Sequence, residues 1–323
     1  MDNPDCGIPD NRPMHLLIPF AIPVTSGATP VVPQLHLPNL QALLRQLQPG
    51  APDTGSADTL TPPQERVRAR AHGIAAADGC IPWAALALAQ AGRTTGDDAW
   101  AWISPAHWIV GSAHITLVDP AGLDLPESES RALLAAMQPY FEQDGIALQF
   151  HDSGRWLARA KIFNHLPCAS LERAAGRDIS QWMPTEPALR RLQNEMQMLL
   201  YTHGVNDQRQ ARGAVAVNSF WIHGCGKLPT TALLQPQDGL QEIATLRQAA
   251  MQQDLQVWQQ LWETVDRGPC QQLRELVDTG QPARLTLCGP RNALTFGPSR
   301  AGLLQRLRGL VHPMPLSQLW SQL

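Results

Sequence analysis

Closely spaced cysteines are missing from this sequence. Its six cysteines are scattered between positions 6 and 288, and no two of them form a CxxC pair. A disulfide framework or a zinc ribbon needs cysteines at short spacing, so neither is expected. Isolated cysteines suit a reducing compartment, and we predict a cytoplasmic protein.

Long apolar runs and a targeting segment are missing as well. The first residues, MDNPDCGIPDNRP, are acidic and rich in proline, whereas a secretory signal begins with basic residues. The apolar run MHLLIPFAIPV, at 14–24, contains two prolines and is shorter than the about 20 residues that span a bilayer. We therefore predict no membrane partner, and a buried strand over 16–24.

Charge is scarce and nearly balanced. Charged residues make up 16% of the chain, the formal net charge is −3, and no long basic run occurs. Proteins that bind nucleic acid through its phosphates carry a basic surface, so nucleic acid is not an expected partner. The 323 residues, of which 44% are hydrophobic, suffice for one large or two smaller domains with a real core.

Several catalytic motifs are absent too. The patterns GxSxG, GxxxxGK[ST] and GxGxxG do not occur, which counts against a serine hydrolase, a P-loop enzyme and a typical dinucleotide fold. The spacings HxH, HExxH and DxD, which bring metal ligands together, are also missing. We expect packed or solvent-facing roles for the single histidines, and no metal or other cofactor. These histidines include His107, His114, His151, His165, His203 and His223.

Apolar periodicity and turn residues outline the first part of the chain. The stretch LPNLQALLRQL, at 37–47, has the spacing of an amphipathic helix. Residues 49–63 are rich in proline and glycine without any period, and we predict a flexible surface loop there. Helical sequence follows over 64–92 and ends at Gly92.

A middle block has mixed periodicity. Residues 100–119 are rich in β-branched and aromatic residues, which predicts two strands or a bent hairpin. An amphipathic helix follows over 127–145. Residues 146–160 alternate around the turn Asp152-Ser-Gly, which predicts a hairpin. We assign 97–185 to an inserted α+β subdomain.

Helical and strand patterns alternate in the second half. This alternation predicts an α/β fold with a partly parallel sheet flanked by helices, formed by 1–96 and 186–323. The predicted elements are a helix over 186–204 closed by Gly204, a strand that begins at 214, helices over 240–266 and 269–279, strands over 283–289 and 293–297, and a last helix over 299–310.

The stretch AVAVNSFWIHGCGKLPT, at 214–230, raises a functional question. Arginine, lysine and exposed backbone N–H groups beside glycine suit a carboxylate or a phosphate. One interpretation is therefore an anion-binding site, and the other is a strand end that uses glycine to turn, preceded by a solvated polar loop at 203–213. The candidate ligand-binding residues are Arg209, Arg212, Asn218, Trp221, His223, Gly224, Gly226 and Lys227.

Two cysteines deserve the same double interpretation. Cys225 and Cys288 each precede a glycine near the end of a predicted strand. A catalytic thiolate there needs a pKa lowered by a neighbour such as His223 or Lys227. The alternative is that each thiol is a small apolar filler.

The stretch 203–227 resembles the signature of the archaeal-type, cofactor-independent phosphoglycerate mutases, which belong to the alkaline-phosphatase superfamily. In that signature an asparagine, a tryptophan and two glycines precede a lysine. The matching residues here are Asn218, Trp221, Gly224, Gly226 and Lys227.

Weaker similarity extends over most of the chain. LPNL at 37–40 resembles an early Pro-Asn-Leu of the family, and the middle block, with Gly122 and Arg155-Trp156-Leu157, resembles its inserted domain. The whole chain is similar to a bacterial group described as phosphoglycerate mutase-like or as Rpf-type regulatory protein E. The resemblance implies an alkaline-phosphatase-like core, two metal ions on Asp and His ligands, and a Ser or Thr nucleophile.

The sequence departs from the family at the places where those ligands are expected. No acid follows the opening strand in HLLIPFAIP, and Cys288-Gly289-Pro290 stands where a late Asp-His pair is expected. Thr25, Ser26 and Thr29 are the candidate nucleophiles, but no metal ligand lies near them in sequence. Two-metal phosphoryl transfer needs both ions, because they clamp the attacking and the leaving oxygens.

Three hypotheses follow. The preferred one is a non-catalytic, cytoplasmic regulatory or binding protein that derives from a mutase and binds a small anionic metabolite or a protein partner. The alternative is an active metal-dependent phosphomutase or phosphohydrolase with an altered site that uses His107, His114 or His223. The third is an interaction scaffold that presents surface tryptophans such as Trp100 or Trp320.

Overall fold

The computed structural model describes residues 13–23, 32–56, 58–298 and 315–323. The chain forms two compact units. Unit 1 comprises the described residues of 1–57, 63–71 and 236–323, and unit 2 comprises those of 58–62 and 72–235. Unit 2 therefore interrupts unit 1 along the chain.

The strands of both units are short. They are β1 Met14–Ile18, β2 Gln48–Pro49, β3 Trp100–Ala106, β4 Trp108–Val110, β5 Ile115–Leu117, β6 Ala147–Asp152, β7 Arg155–Arg159, β8 Ser219–Gly226, β9 Leu240–Glu242, β10 Ala283–Cys288 and β11 Ala293–Gly297.

Helices alternate with these strands. They are α1 Pro38–Gln46, α2 Pro63–Ala71, α3 Trp83–Gln90, α4 Glu127–Gln143, α5 Leu171–Ala174, α6 Pro187–Tyr201, α7 Gly204–Ala211, α8 Arg247–Gln252, α9 Leu255–Val265, α10 Gln271–Asp278 and α11 Leu316–Gln322. A π-helical turn, Asp266–Cys270, joins α9 to α10.

Unit 1 contains a five-stranded sheet of order β2-β11-β10-β1-β9. Strand β1 is parallel to both β10 and β9, while β11 is antiparallel to β10 and to β2. Alternate residues of the central strands, such as Leu16 and Leu285, enter a core shared with α1, α9, α10 and α11, whereas Leu17 faces Val67 of α2. The prediction of an α/β fold with a partly parallel sheet flanked by helices is confirmed.

The start of α1 shows how a distant residue fixes a helix in this unit. Buried Asp266 accepts the backbone N–H groups of Asn39 and Leu40 at 3.2 and 2.7 Å. A carboxylate at this position satisfies N–H groups that have no partner inside the helix and interacts favourably with the helix dipole. The LPNL stretch is therefore a helix start capped by the π-helical turn.

Unit 2 is an α+β unit built on an antiparallel sheet of order β6-β7-β3-β8. One face of this sheet, with Ile103, Trp156 and Phe220, packs with residues of α4 and α6. The opposite face, with Trp102 and Leu157, packs against α3. A separate hairpin of β4 and β5 follows β3 directly.

Several predicted elements are confirmed. The helices expected over 37–47 and 127–145 appear as α1 and α4. The hairpin expected over 146–160 appears as β6 and β7, and the strands expected over 283–289 and 293–297 appear as β10 and β11.

Two predictions for the second half are wrong. The segment 203–213, expected as a loop, forms α7, because His203 caps it by accepting the N–H of Val205 and Gly204 begins this helix instead of closing α6. The segment 240–266 is not one helix, because β9 pairs with β1 before α8 and α9 begin.

Two further predictions, for 299–310 and for the loop 49–63, are not tested by the structure. The helix expected over 299–310 lies outside the described residues. In the loop 49–63, the backbone of Asp53 pairs with Ala293, while flexibility of this loop stays a prediction.

The two units do not follow the expected boundaries at 96/97 and 185/186. Strand β8 is hydrogen-bonded to β3, and β3 lies in the segment expected as an insertion. The segment 186–235 therefore belongs to unit 2, whose boundaries with unit 1 are at 71/72 and 235/236. The division into a mutase-derived core and an inserted subdomain stays a prediction.

Candidate functional site

Strand β8 carries four of the predicted site residues and lies at the edge of the sheet of unit 2. Side chains alternate along a strand, so Trp221 and His223 share one face while Phe220 and Ile222 enter the core on the other. All eight residues of the strand are buried. A strand covered on both faces displays little surface to a ligand.

The two glycines of the stretch are required by close packing against the start of α3. Gly224 has φ +63°, and a Cβ there would lie 3.0 Å from Cδ1 of Trp102 and 3.1 Å from Cβ of Trp83. Gly226 has φ +141°, and a Cβ would lie 3.2 Å from Cβ of Pro82. Glycine tolerates these φ values and leaves this space free, so both glycines have a structural reason.

Asn218 and Trp221 are also bonded within the protein. The Asn218 side chain accepts the N–H of Trp108 at 2.7 Å and donates to its carbonyl at 2.9 Å. The indole of Trp221 is 2% exposed and donates to the carbonyl of Ala169 at 2.9 Å. Both side chains thus have a structural hydrogen-bonding role within unit 2.

His223 forms a buried pair with Ser104 on the neighbouring strand. Its Nε2 lies 3.1 Å from Oγ of Ser104. Burial, and to a smaller extent the charge of Arg155, lowers the pKa of His223 to about 3, so the ring is neutral at physiological pH. A serine beside a neutral histidine resembles a nucleophile with its base, but Ser104 is fully buried and no substrate reaches it.

The two predicted arginines belong to a buried ion-pair network with α4. Arg209 is 0% exposed and donates to Glu129 at 2.6 Å, to the carbonyl of Val215 at 2.6 Å and to the carbonyl of Leu123. Arg212 donates to the other oxygen of Glu129 at 2.6 Å. These bonds, that of Arg212 foremost, lower the pKa of the Glu129 carboxyl. Arg209 has no surface left for a ligand.

Lys227 is exposed, but it lies far from these arginines. It follows the last residue of β8, whereas Arg212 precedes the first, and eight strand residues span about 26 Å. The structure therefore brings Trp221, His223 and the glycines together on one strand. It does not join Arg209, Arg212 and Lys227 into one cationic site.

The candidate metal ligands are dispersed. Nδ1 of His107 lies 2.8 Å from the carbonyl oxygen of Ala216, and Nε2 of His223 is held by Ser104. Across the described ranges no group of three or more His, Cys, Asp or Glu side chains is placed to hold a metal ion.

The carboxyl ends of the central parallel strands of unit 1 are the place where α/β sheets bind ligands. After β1, the carbonyls of Phe20 and Ala21 accept the indole N–H groups of Trp258 and Trp262 at 3.1 and 3.2 Å. The backbone N–H of Ala21 donates to the carbonyl of Cys288 at 2.8 Å. Apolar side chains and backbone bonds thus occupy the end of β1.

The end of β10 is covered by the last residues of the chain. A Cβ on Gly289 would lie only 2.4 Å from the carbonyl oxygen of Leu323. Asn292 donates its backbone N–H to the same carbonyl at 3.2 Å. The residues at these two strand ends do not fit the two-metal centre that the sequence resemblance implies. Thr25, Ser26 and Thr29 lie outside the described residues.

The structure favours the apolar-filler interpretation for Cys225 and buries one of the two expected surface tryptophans. Cys225 is not beside a group that lowers its pKa, since burial and the neighbouring Cys168, whose Sγ is 3.4 Å away, raise it. Trp100 is 7% exposed and is not a surface anchor.

Sequence reasoning missed that three distant cysteines meet in unit 2. Cys80 lies close enough to Cys168 and Cys225 to interact with both electrostatically. Burial raises the pKa of Cys80 as well. No sequence spacing indicates this cluster, because its members come from three separate segments.

Sequence reasoning also missed a group of buried donors near the start of β8. The indole Nε1 atoms of Trp108 and Trp182 and the Oγ of Ser219 are buried without a hydrogen-bond partner in the described residues. Trp108, Trp182 and Trp221 belong to one buried cluster, and the rings of Trp108 and Trp221 meet edge to face at 6.4 Å.

No helix within the described residues is long and apolar enough to cross a membrane. Among known proteins, no family model and no curated protein matches the chain.

Two solved structures are similar to it over most of their length. One is a cofactor-independent phosphoglycerate mutase from Thermoplasma acidophilum, with 12% identity, 90% of this chain and 91% of that chain covered, and a TM-score of 0.36. The other is a protein from Pyrococcus horikoshii, with 12% identity, coverage of 89% and 88%, and a TM-score of 0.41. Similarity at these values supports no conclusion about activity.

Proposed function

We propose that this chain is a non-catalytic, cytoplasmic binding or regulatory protein derived from a phosphoglycerate mutase-like ancestor. It binds a small anion or a protein partner and does not transfer phosphoryl groups. The descent rests on the sequence resemblance around 203–227. The loss of chemistry rests on the two central strand ends of unit 1.

The observation that carries the proposal is the filled end of β10. Position 289 has no room for a side chain, because the backbone of Leu323 lies within 2.4 Å of where a Cβ would be. The resemblance requires an acidic and an imidazole ligand at this turn, and the turn has Cys288, Gly289 and Pro290. Two-metal phosphoryl transfer depends on ligands that hold both ions.

The test is a turnover assay on the full chain. We expect no interconversion of phosphoglycerates and no hydrolysis of a phosphate ester above background with Mn²⁺, Mg²⁺ or Zn²⁺. Elemental analysis of the dialysed protein is expected to find metal far below one ion per chain. Stoichiometric metal together with turnover would contradict the proposal and favour the altered-site phosphohydrolase.

Binding is measured on the same protein with defined probes. Calorimetric titration with 3-phosphoglycerate and with inorganic phosphate tests the small-anion ligand. Lys227→Ala and Arg212→Ala are the variants for the exposed cations of the predicted site. Since about 26 Å of strand separates these residues, we expect neither variant to change the affinity for a single small anion by more than about twofold.

A further inference from the structure

The buried donors at the start of β8 form a group that nothing in unit 2 satisfies. Trp108 is 2% exposed, Trp182 is 8% exposed and Ser219 is 0% exposed. Each has a side-chain donor without a hydrogen-bond partner in the described residues. Buried polar groups in native proteins are nearly all hydrogen-bonded, so three such atoms in one region need an explanation.

Backbone contacts bring Trp108 and Ser219 together, and Trp182 joins them by packing in the same buried cluster. Asn218, the neighbour of Ser219, bonds both backbone groups of Trp108. Ser219 pairs with Ala106 of β3, and Ala106 belongs to the same buried cluster as Trp108 and Trp182. The donors therefore come from three segments that meet in one apolar environment.

A partly buried arginine lies in the chain between two members of this cluster. Arg177 sits between Ala174 and Ile179, which are both cluster members, and its carbonyl accepts the N–H of Leu117 at 3.1 Å. Burial lowers the pKa of Arg177, so its charged form is costly where it stands. The guanidinium of Arg173 is also nearby, with its Cζ 5.7 Å from the ring centroid of Trp182.

The chemistry of these groups selects the ligand. Indole N–H and guanidinium groups donate hydrogen bonds and do not accept them. A water molecule that accepts two such bonds must also donate its own two hydrogens, whereas an anion only accepts. A negative ligand beside a partly buried arginine also offsets the cost of burying its charge.

We propose that Trp108, Trp182 and Ser219, together with Arg177, form a buried binding site for a small monovalent anion, either a halide or a carboxylate no larger than acetate. This site is the place where the small anion of the proposed function would bind. The inference therefore rests on the proposed function, which names a small anion as one class of ligand. It is distinct from the predicted set Arg209, Arg212 and Lys227.

The test is the thermal stability of the full chain at constant ionic strength. Sodium chloride and sodium acetate are compared with sodium gluconate, whose anion is too large for a buried site. We expect chloride or acetate at about five times its Kd to raise the Tm by about 2–4 °C. Trp182→Phe, Ser219→Ala and Arg177→Met are expected to lose this shift.

Trp156→Phe is the matched control in the same unit. Its indole is also buried, but it donates to Oγ of Ser130 at 2.9 Å, so this variant is expected to keep the anion-dependent shift. If Trp182→Phe does not fold, the anion-dependent Tm shifts of Arg177→Met and Ser219→Ala are compared with that of the native chain instead. Crystals grown in sodium bromide should show an anomalous peak within about 3.5 Å of Nε1 of Trp108 and Trp182.

The outcomes separate this site from the proposed function. An equal shift in every variant would mean a general salt effect, and no shift with no bromide peak would mean that water alone fills the site; either result overturns the inference. Turnover of phosphoglycerate would overturn the proposed function and leave the anion response of the variants unchanged.

Discussion

The two units differ in two buried tryptophans of unit 2, since the indoles of Trp156 and Trp221 in that unit are paired like those of unit 1. In unit 1, the indoles of Trp258 and Trp262 donate to the carbonyls that follow β1. In unit 2, the indoles of Trp108 and Trp182 have no acceptor among the described residues. Unit 1 is thus closed by its own contacts at the strand ends where the resemblance requires chemistry. Unit 2 leaves two indole donors without an acceptor in the described residues, and the proposed anion site rests on this difference.

The largest expected effect tests the buried ion pair between Arg209 and Glu129 in unit 2. Arg209→Met removes a 0% exposed guanidinium and leaves the Glu129 carboxylate buried with one partner fewer. We expect a loss of about 3–5 kcal/mol in the free energy of unfolding, measured by urea denaturation. Arg212→Met, at a 45% exposed side chain, is expected to cost about 1 kcal/mol or less. Equal costs would contradict a structural role for Arg209.

The next effect tests the closed strand end of unit 1. Gly289→Ala places a methyl group against the backbone of Leu323, and we expect a loss of about 2–3 kcal/mol in the free energy of unfolding. Gly297→Ala is the control, because a Cβ there would meet only Cγ of Arg284 at 3.8 Å. If both variants are equally stable, the contact between Gly289 and Leu323 does not close this end.

The smallest effect compares one buried histidine from each unit. Nε2 of His15 in unit 1 lies 2.7 Å from Oγ1 of Thr286, and burial together with the charge of Arg284 lowers the pKa of His15 to about 4. Burial lowers the pKa of His223 in unit 2 to about 3. Both values lie below the about 6.5 of an unfolded histidine, so the unfolded chain takes up protons first as the pH falls.

The free energy of unfolding should therefore decrease as the pH is lowered below about 6.5. Each histidine is expected to contribute about 2 kcal/mol of this decrease between pH 7 and pH 5. His15→Gln and His223→Gln are each expected to reduce the change in the free energy of unfolding between pH 7 and pH 5 by about 2 kcal/mol. Urea denaturation at both pH values measures this change. A variant whose pH dependence matches that of the native protein would show that its histidine is protonated equally in both states.

Much of the fold was predictable from local pattern. The helix α4 and the hairpin of β6 and β7 have clear periods and a clear turn, and both appear where expected. Strand β9 has only three residues and depends on its partner β1, so no local pattern indicates it. The helix α7 was missed because its polar sequence resembles a loop, while its stability comes from Arg209 and Asn206 bonding to neighbouring segments.

The candidate site was less predictable for a physical reason. Arginine and lysine close in sequence to glycines suggest an anion site. In the structure, strand β8 lies between the arginines and Lys227, whereas a loop could have brought them together. Trp108, Trp182 and Ser219 come from distant segments, and only the absence of acceptors around them distinguishes them from other buried residues. That property depends on tertiary packing and has no sequence signature.

The interruption of unit 1 by unit 2 has a consequence for synthesis on the ribosome. Strand β1 pairs with β9 and β10, and Met14 lies opposite Ala283. At about 5–20 residues per second, β1 leaves the ribosome roughly ten seconds to a minute before β10 exists. During that interval all of 72–235 becomes available to fold, while the apolar stretch MHLLI has no strand to pair with. The order of synthesis therefore favours completion of unit 2 first, and it makes β1 a segment that a chaperone would be needed to shield.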